Sequence, residues 1–471
     1  MINRTHSVAV GFLIFLFLLT STAISGAASN WARVYGGSES DYFDSLQQTK
    51  DGGYVFAGST RSFGAEWNDA WAVKLDSNGQ VQWSKRYGGT DPSDWDGASS
   101  IRQTTDGGYI VAGETRSFGA GSTDAWVMKL DGSGNIIWEK TYGGNRGDQA
   151  DCVRPTSDGG FIVAGSTWSF GTAKEIWVLK LYGTGAIQWQ KTYGGTDGEE
   201  DALVEQTSDG GYIVAARTWS FGAGYVDIWF LKLDANGNVV WERTYGGDNW
   251  DEVDTIRQTS DNGYIIAGYT VSFGPGSSDR NAWLIKLDKN GFLSWQKTYG
   301  GHTNYESSSA HSLDLTNDGN FIVAGNTEAF GAGWSDIWVL KLNPLGQILW
   351  EKRYGTDDGS DPASFIQQTK DGGYMVAGVN DILGEPLDVY LYKLDENGEL
   401  PVCIPSFETH TTNAVVSTPI LPIILIYSYS VQNTTATVLN SIAVVNDTTP
   451  KARLMCPFGG HIAPMMILLD E

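Results

Sequence analysis

Acidic side chains recur along this chain: Asp41 and Asp44, Asp94 and Asp96, Asp148 and Asp151, Glu200 and Asp201, Asp251 and Asp254, Glu306, then Asp358 and Asp361. Carboxylates grouped in this way can do three kinds of chemistry. Hard oxygen ligands suit calcium, which makes calcium the one metal to consider, although no D-x-D-x-D-G loop is present. Two carboxylates at a suitable separation can run glycoside hydrolysis. The third role is structural, capping turns and accepting backbone N–H bonds where the chain changes direction, and a feature present in every copy of a repeat favours it.

Six tryptophans, Trp67, Trp95, Trp168, Trp219, Trp250 and Trp334, fall in or beside the same segments. Aromatic faces next to carboxylates are what sugar-binding surfaces use, and exposed tryptophans also mark protein interfaces. The competing reading packs each ring under a neighbouring S-F-G segment, beside Phe63, Phe170, Phe221 or Phe330. The candidate ligand-binding set is those six tryptophans with Asp94, Asp96, Asp148, Asp251 and Asp254. Only His302 and His311 lie among the repeats. Two histidines in one loop read as solvated rather than catalytic, so no catalytic residue is assigned.

What must position these residues is a sevenfold repeat, roughly W-x-K-x-Y-G-G, acidic loop, Q-T-x-D-G-G-Y-I-V-A-G, S-F-G-A-G, D-x-W-V-x-K-L-D-x-x-G. D-G-G or its variant recurs at Asp51, Asp106, Asp158, Asp209, Asp261, Asp318 and Asp371, and the opening tryptophan at Trp31, Trp83, Trp138, Trp189, Trp241, Trp295 and Trp350. Spacings of 51 to 57 residues between D-G-G elements suit a four-stranded propeller blade. In the fourth copy the β-prone stretches are Ala202 to Thr207 (A), Tyr212 to Ala216 (B), Ile228 to Leu233 (C) and Val239 to Tyr245 (D). Tight glycine turns join A to B and C to D. Strand B is continuously apolar, as for a strand covered on both faces, while D alternates and becomes the outer edge.

The chain enters the repeats on a D strand at Trp31 and leaves them after a C strand, Asp388 to Leu394. The N-terminal strand therefore supplies the missing outer strand of the last blade, and seven blades close. The expected fold is all-β: a seven-bladed β-propeller over 29–400, after a signal peptide at 1–28 and before a small β-rich appendage at 401–471. A second tryptophan set, Trp71, Trp126, Trp177, Trp229, Trp283 and Trp338, with Tyr390 as its seventh member, occupies one C-strand position. The two sets are expected to lie nearly opposite each other across the C-D hairpin. Tight turns then fall on one face of the disc and the long B-C and D-A loops on the other, the better place for a site.

The motif K-L-D-x-x-G-x-x-x-W, as in Lys129-Leu130-Asp131-Gly132-Ser133-Gly134 leading to Trp138, resembles the tryptophan-docking repeat of quinoprotein propellers. Six copies carry it, with Tyr182 and Asn343 at the Asp position. The resemblance implies blades locked to their neighbours. The D-G-G-Y-I-V-A-G wording is also similar to repeats of exported prokaryotic propellers, over about residues 31 to 400. A quinone cofactor, and with it quinone-dependent dehydrogenase activity, is disfavoured: the well-known quinoproteins have eight blades and an adjacent Cys-Cys pair, which this chain lacks.

Arg4, the apolar run Val8 to Leu19 and the small residues through Ala28 read as a secretory signal, so the mature protein is expected to be secreted or held at the cell surface. The net charge of −24 argues against nucleic-acid partners. No span is expected in the mature chain, and a monomer is expected from ring closure. Of three cysteines, Cys403 and Cys456 bracket the appendage as a candidate disulfide, and Cys152 reads as a small buried residue. The function these observations favour is a non-catalytic binding or scaffold module for glycans or proteins. A carbohydrate-active enzyme is the alternative.

Overall fold

The computed structural model describes residues 30–63, 67–89, 94–274, 279–300, 307–328, 335–354, 360, 362–380 and 386–400, together with five short strands further on. Seven antiparallel sheets, each built on four propeller strands, make a seven-bladed β-propeller, and no helix occurs among the described residues. Blade 1 comprises Asp41–Gln48, Tyr54–Thr60, Asp69–Leu75 and Val81–Gly88. Innermost strands of all seven blades line a single axial cavity, from Asp44 in blade 1 to Ser364 in blade 7.

The ring closes as its strand count requires. Trp31–Tyr35 pairs antiparallel with Asp388–Leu394, Val34 lying opposite Tyr390, so the first strand completes the last blade. Blades 7 and 1 share one apolar cluster in which Met375, Ala377 and Leu391 pack with Phe56 and Trp71. Other neighbouring pairs repeat this arrangement, as where Ile162 and Val178 of blade 3 meet Val214 and Trp229 of blade 4. Second strands are buried along their length, which matches their unbroken apolar wording.

The two tryptophan sets do different jobs and are not opposite each other: Trp177 pairs with Thr192, and Trp189 with Lys180. Third-strand tryptophans fill the spaces between blades and are fully buried. Outer-strand tryptophans dock on the next blade's turn, donating their indole N–H to a carbonyl there. Trp83 reaches Gly132 at 3.0 Å, Trp189 reaches Ala235 at 3.1 Å and Trp295 reaches Pro344 at 3.1 Å. The turn glycine is required: at Gly237, with φ +73°, a Cβ would lie 2.8 Å from the Trp189 ring. Tyr193 adds a bond to the Gly237 carbonyl at 2.6 Å.

The D-G-G hairpins are tied down from inside each blade. Lys180 Nζ lies 2.9 Å from Asp158 and Lys232 Nζ 3.0 Å from Asp209, both lysines being buried. Burial raises the Asp158 pKa, but hydrogen bonds from Thr156 and Lys180 outweigh it and hold the carboxyl at about 2.

Innermost strands begin earlier than sequence wording suggests. In blade 4 the strand is Glu199–Gln206 rather than Ala202 to Thr207, because the leading acid belongs to the ladder and not to the loop. Beyond residue 400 the described strands do not pair with one another as a separate unit would. Val415–Ser417, Ser430–Asn433, Thr437–Leu439, Val444–Asp447 and Arg453–Leu454 each add to the outer strand of a different blade. Cys403 and Cys456 lie outside the described residues, as do residues 1–28, where a signal peptide is expected. Cys152 is buried, its thiol 3.6 Å from the Val204 carbonyl.

Candidate binding face and axial channel

Each leading acid is the centre of a knot that explains much of the consensus. Asp148 accepts the N–H of Gly144 at 2.8 Å and the Ser169 hydroxyl at 2.6 Å, and also takes the Thr167 hydroxyl. Asp96 and Asp251 repeat this with Gly89, Thr115 and Ser117, and with Gly247, Thr270 and Ser272. All three aspartates are fully buried. The candidate ligands Asp96, Asp148 and Asp251 are therefore turn anchors, their oxygens used by the Y-G-G and T-x-S segments they join. Asp94 stands just outside such a knot, half-buried.

Three places on, the acids turn inward. Asp44, Asp151, Asp254 and His311 line the axial cavity, whose volume is about 110 Å³, with Arg102, Arg154, Glu205 and Arg257 also on its wall. Enclosure in the channel raises Asp44 and Asp151 to about 7, helped by Glu114 at Asp44 and mainly by Asp201 at Asp151, while the Asp44 side chain stays open to solvent in the channel. Asp201 pairs with Arg217 at 2.8 Å, and Arg257 pairs with Glu205 at 2.8 Å. Among the described residues no three His, Cys, Asp or Glu side chains converge to hold a metal ion. Asp358, Asp361, Glu306 and His302 lie outside the described residues.

His311 is not a solvated loop residue. It sits on the channel wall, Nδ1 3.6 Å from Asp254 and Nε2 2.7 Å from Asn326 and 2.9 Å from the Ser309 hydroxyl. Burial opposes its charged form, yet Asp254 and Asn326 carry its pKa above the ordinary value. Ser309, His311 and Asp254 thus follow the order of a nucleophilic triad. Ser309, however, is 3% exposed and gives its hydroxyl to Asn326 at 2.6 Å, so no substrate reaches it. Aligning innermost strands would have exposed His311, where other blades carry Asp44, Ser99, Asp151, Asp254 and Ser364.

The long-loop face carries the aromatic residues. Trp67 is 53% exposed, Trp168 41% and Trp250 42%, while Trp95 and Trp219 are half-buried and Trp334 lies outside the described residues. None of the five described contacts an S-F-G phenylalanine in a ring pair. Those phenylalanines pack instead, tilted, against third-strand tryptophans, Phe170 on Trp177 at 5.3 Å and Phe221 on Trp229 at 4.7 Å. Loop tryptophans pair with arginines or with each other. Arg61 lies over Trp67 at 6.0 Å, Arg116 over Trp95 at 5.8 Å and Arg146 over Trp168 at 5.2 Å, and Trp219 meets Trp250 edge-on at 6.3 Å.

Tyr225 belongs to this set and was not among the sequence candidates. It is 70% exposed and precedes Val226, which bridges to Trp250. Its signal was its place in the repeat, the one Trp67 and Trp334 occupy in blades 1 and 6.

No family model matches the chain, and no curated protein matches it. Solved structures do match at low identity. Sqt1 from Chaetomium thermophilum is 12% identical, with 82% of this chain and 89% of that one covered and a TM-score of 0.45. The Pan2 WD40 domain of Neurospora crassa is 13% identical over 76% and 89%, also at 0.45. A Dyadobacter fermentans protein of unknown function is 12% identical over 77% and 97%, at 0.45.

Proposed function

We propose that this chain is an exported, non-catalytic recognition module that binds glycans through the aromatic arc of its long-loop face. The observation that carries the reading is the joint exposure of Trp168, Tyr225 and Trp250 on one face, beside the half-buried Trp219. Flat rings offer stacking to sugar faces, and Arg146 beside Trp168 offers hydrogen bonds to hydroxyls or carboxylates. Repeat consensus explains none of these residues, whereas it explains the leading acids Asp96, Asp148 and Asp251. A glycan array probed with the mature chain tests the proposal: binding to a related group of glycans supports it, and a silent array refutes it.

A second reading has its own observation. Asp44 and Asp254 both line a more open cavity of about 300 Å³ at the channel mouth, with Phe43, His311, Pro362 and Ser364. An acid held at about 7, such as Asp44, suits proton donation at neutral pH. Reducing-sugar release from a polysaccharide panel, abolished by Asp44→Asn, would move the assignment from binder to hydrolase.

A further inference from the structure

The five strands beyond residue 400 share a register. Ser430 lies opposite Gly194, Thr437 opposite Gly143 and Val444 opposite Gly88. These glycines hold the same Y-G position in blades 3, 2 and 1. Arg453 continues the series: it lies opposite Val34, two places before Gly36, as Asn446, seven residues earlier, lies opposite Arg86, two places before Gly88. Positions 430, 437 and 444 are seven residues apart, and the wording repeats with that step: S-V-Q-N-T-T-A, T-V-L-N-S-I-A, V-V-N-D-T-T-P. Val416, Val431, Val438 and Val445 are each the backbone partner of the Y-G tyrosine, Tyr299, Tyr193, Tyr142 and Tyr87 respectively.

This path visits blades 5, 3, 2, 1 and 7, against the order of the blades in the chain; among the described residues blades 4 and 6 receive no tail strand, and of the two only blade 4 falls between blades that the path visits in turn. The outer strand of blade 4, Val239–Tyr245, ends its sheet with no further strand among the described residues, and Val240 on it is 62% exposed. Residues 418–429 join the strand on blade 5 to the strand on blade 3. Their number matches two connectors of the lengths used elsewhere, 448–452 and 434–436, with one four-residue strand between them.

We propose that the outer edge of blade 4 is a docking surface for residues Ile423-Ile424-Leu425-Ile426 of the same chain, Ile423 across from Gly246 and Ile424 across from Tyr245. The tail is then a belt laid on blades 5, 4, 3, 2, 1 and 7 in steps of seven residues, with eight between the first two. Counting seven back from Ser430 gives Ile423, and Ile424 takes the place of the recurrent valine. Pro422, which has no N–H to give, marks where the strand begins. Four consecutive apolar residues, three of them β-branched, favour a strand. An open edge bearing an exposed apolar residue is otherwise a template for association.

Paired cysteines test the register. In a chain with Cys403→Ser and Cys456→Ser, Lys191→Cys with Asn433→Cys is the reference pair, and Arg243→Cys with Ile426→Cys is its equivalent on blade 4. Both pairs should oxidise within one chain to the same extent, and the disulfide-linked peptides should map by mass spectrometry. Oxidation of the reference pair while the blade 4 pair stays reduced overturns the proposal. So does a blade 4 disulfide found only between two chains, which assigns the edge to a second copy. Failure of both pairs refutes the belt itself. Amide exchange in the unmodified chain gives a second readout: residues 239–246 should exchange as slowly as 191–194, and fast exchange there contradicts the assignment.

Discussion

Removing the docked ring of Trp189 and adding a methyl group at Gly237 perturb one contact from its two sides. Trp189 is half-buried, and if about 100 Å² of its ring is covered, burial contributes about 2.5 kcal/mol at 25 cal/mol per Å². Its 3.1 Å bond to the Ala235 carbonyl adds about 1 kcal/mol. Trp189→Ala should then cost about 3 to 4 kcal/mol. Gly237→Ala meets two penalties, about 1 to 2 kcal/mol for a side chain at φ +73° and a further cost because its Cβ would lie 2.8 Å from the ring. With the ring gone, only the backbone penalty remains. Urea unfolding of the wild type, both single variants and the double variant should therefore give a coupling of at least about 1 kcal/mol, with Gly237→Ala cheaper in the Trp189→Ala background. Costs that add to within about 0.5 kcal/mol would refute interblade docking as the source of the turn's glycine requirement.

Acid stability should peak on the acidic side of neutrality. The hairpin aspartates Asp51, Asp106, Asp158 and Asp261 are held at about 2, below their unfolded value, so they stabilise the fold above the unfolded pKa and that contribution is lost as pH falls toward 2. Asp44, Asp151 and Glu199 are raised to about 7, so the folded state holds protons that the unfolded state releases, and stability declines as pH rises from about 4 toward 7. Thermal melts should peak at about pH 4 to 5, and a monotonic rise to neutrality would contradict these assignments. Cys152 should resist maleimide in the native state and react once urea unfolds the chain; rapid native labelling would show that the channel wall opens. Deleting 401–471 should bare the outer edges and produce concentration-dependent association by light scattering, whereas a clean monomer would mean that the tail strands cover nothing the ring needs covered.

Ring architecture was legible because every copy repeats the same hairpins, and because an orphan first strand and a missing last strand make up one blade. Trp31 and Tyr390 marked that closure, and the two strands are indeed paired. Where the innermost strands start was not legible. That these acids accept backbone N–H bonds at turns was legible, but the full burial of Asp96, Asp148 and Asp251 was not, because the Thr and Ser hydroxyls that also satisfy them come some twenty residues later. Separate tasks for the two tryptophan sets were also hidden, since only pairing shows that Trp177 and Trp189 sit three residues out of step. Off-repeat tryptophans were found by subtracting the consensus. Their arginine partners were not, because Arg61 and Arg116 follow strand B at the very position where blades 3 and 4 carry Trp168 and Trp219.

The central claim is that recognition resides in the off-repeat aromatic residues of one face. Its most direct test compares two variants against whichever glycan the wild type binds. One carries Trp168→Ala, Trp219→Ala and Trp250→Ala on the long-loop face. The other carries Tyr182→Ser and Leu345→Ser, exposed apolar residues at tight turns on the opposite face. Calorimetric titration should show binding lost in the first variant, with its melting temperature held close to that of the wild type, and unchanged affinity in the second. Undiminished binding by the triple variant, or loss in the opposite-face variant alone, would contradict the claim.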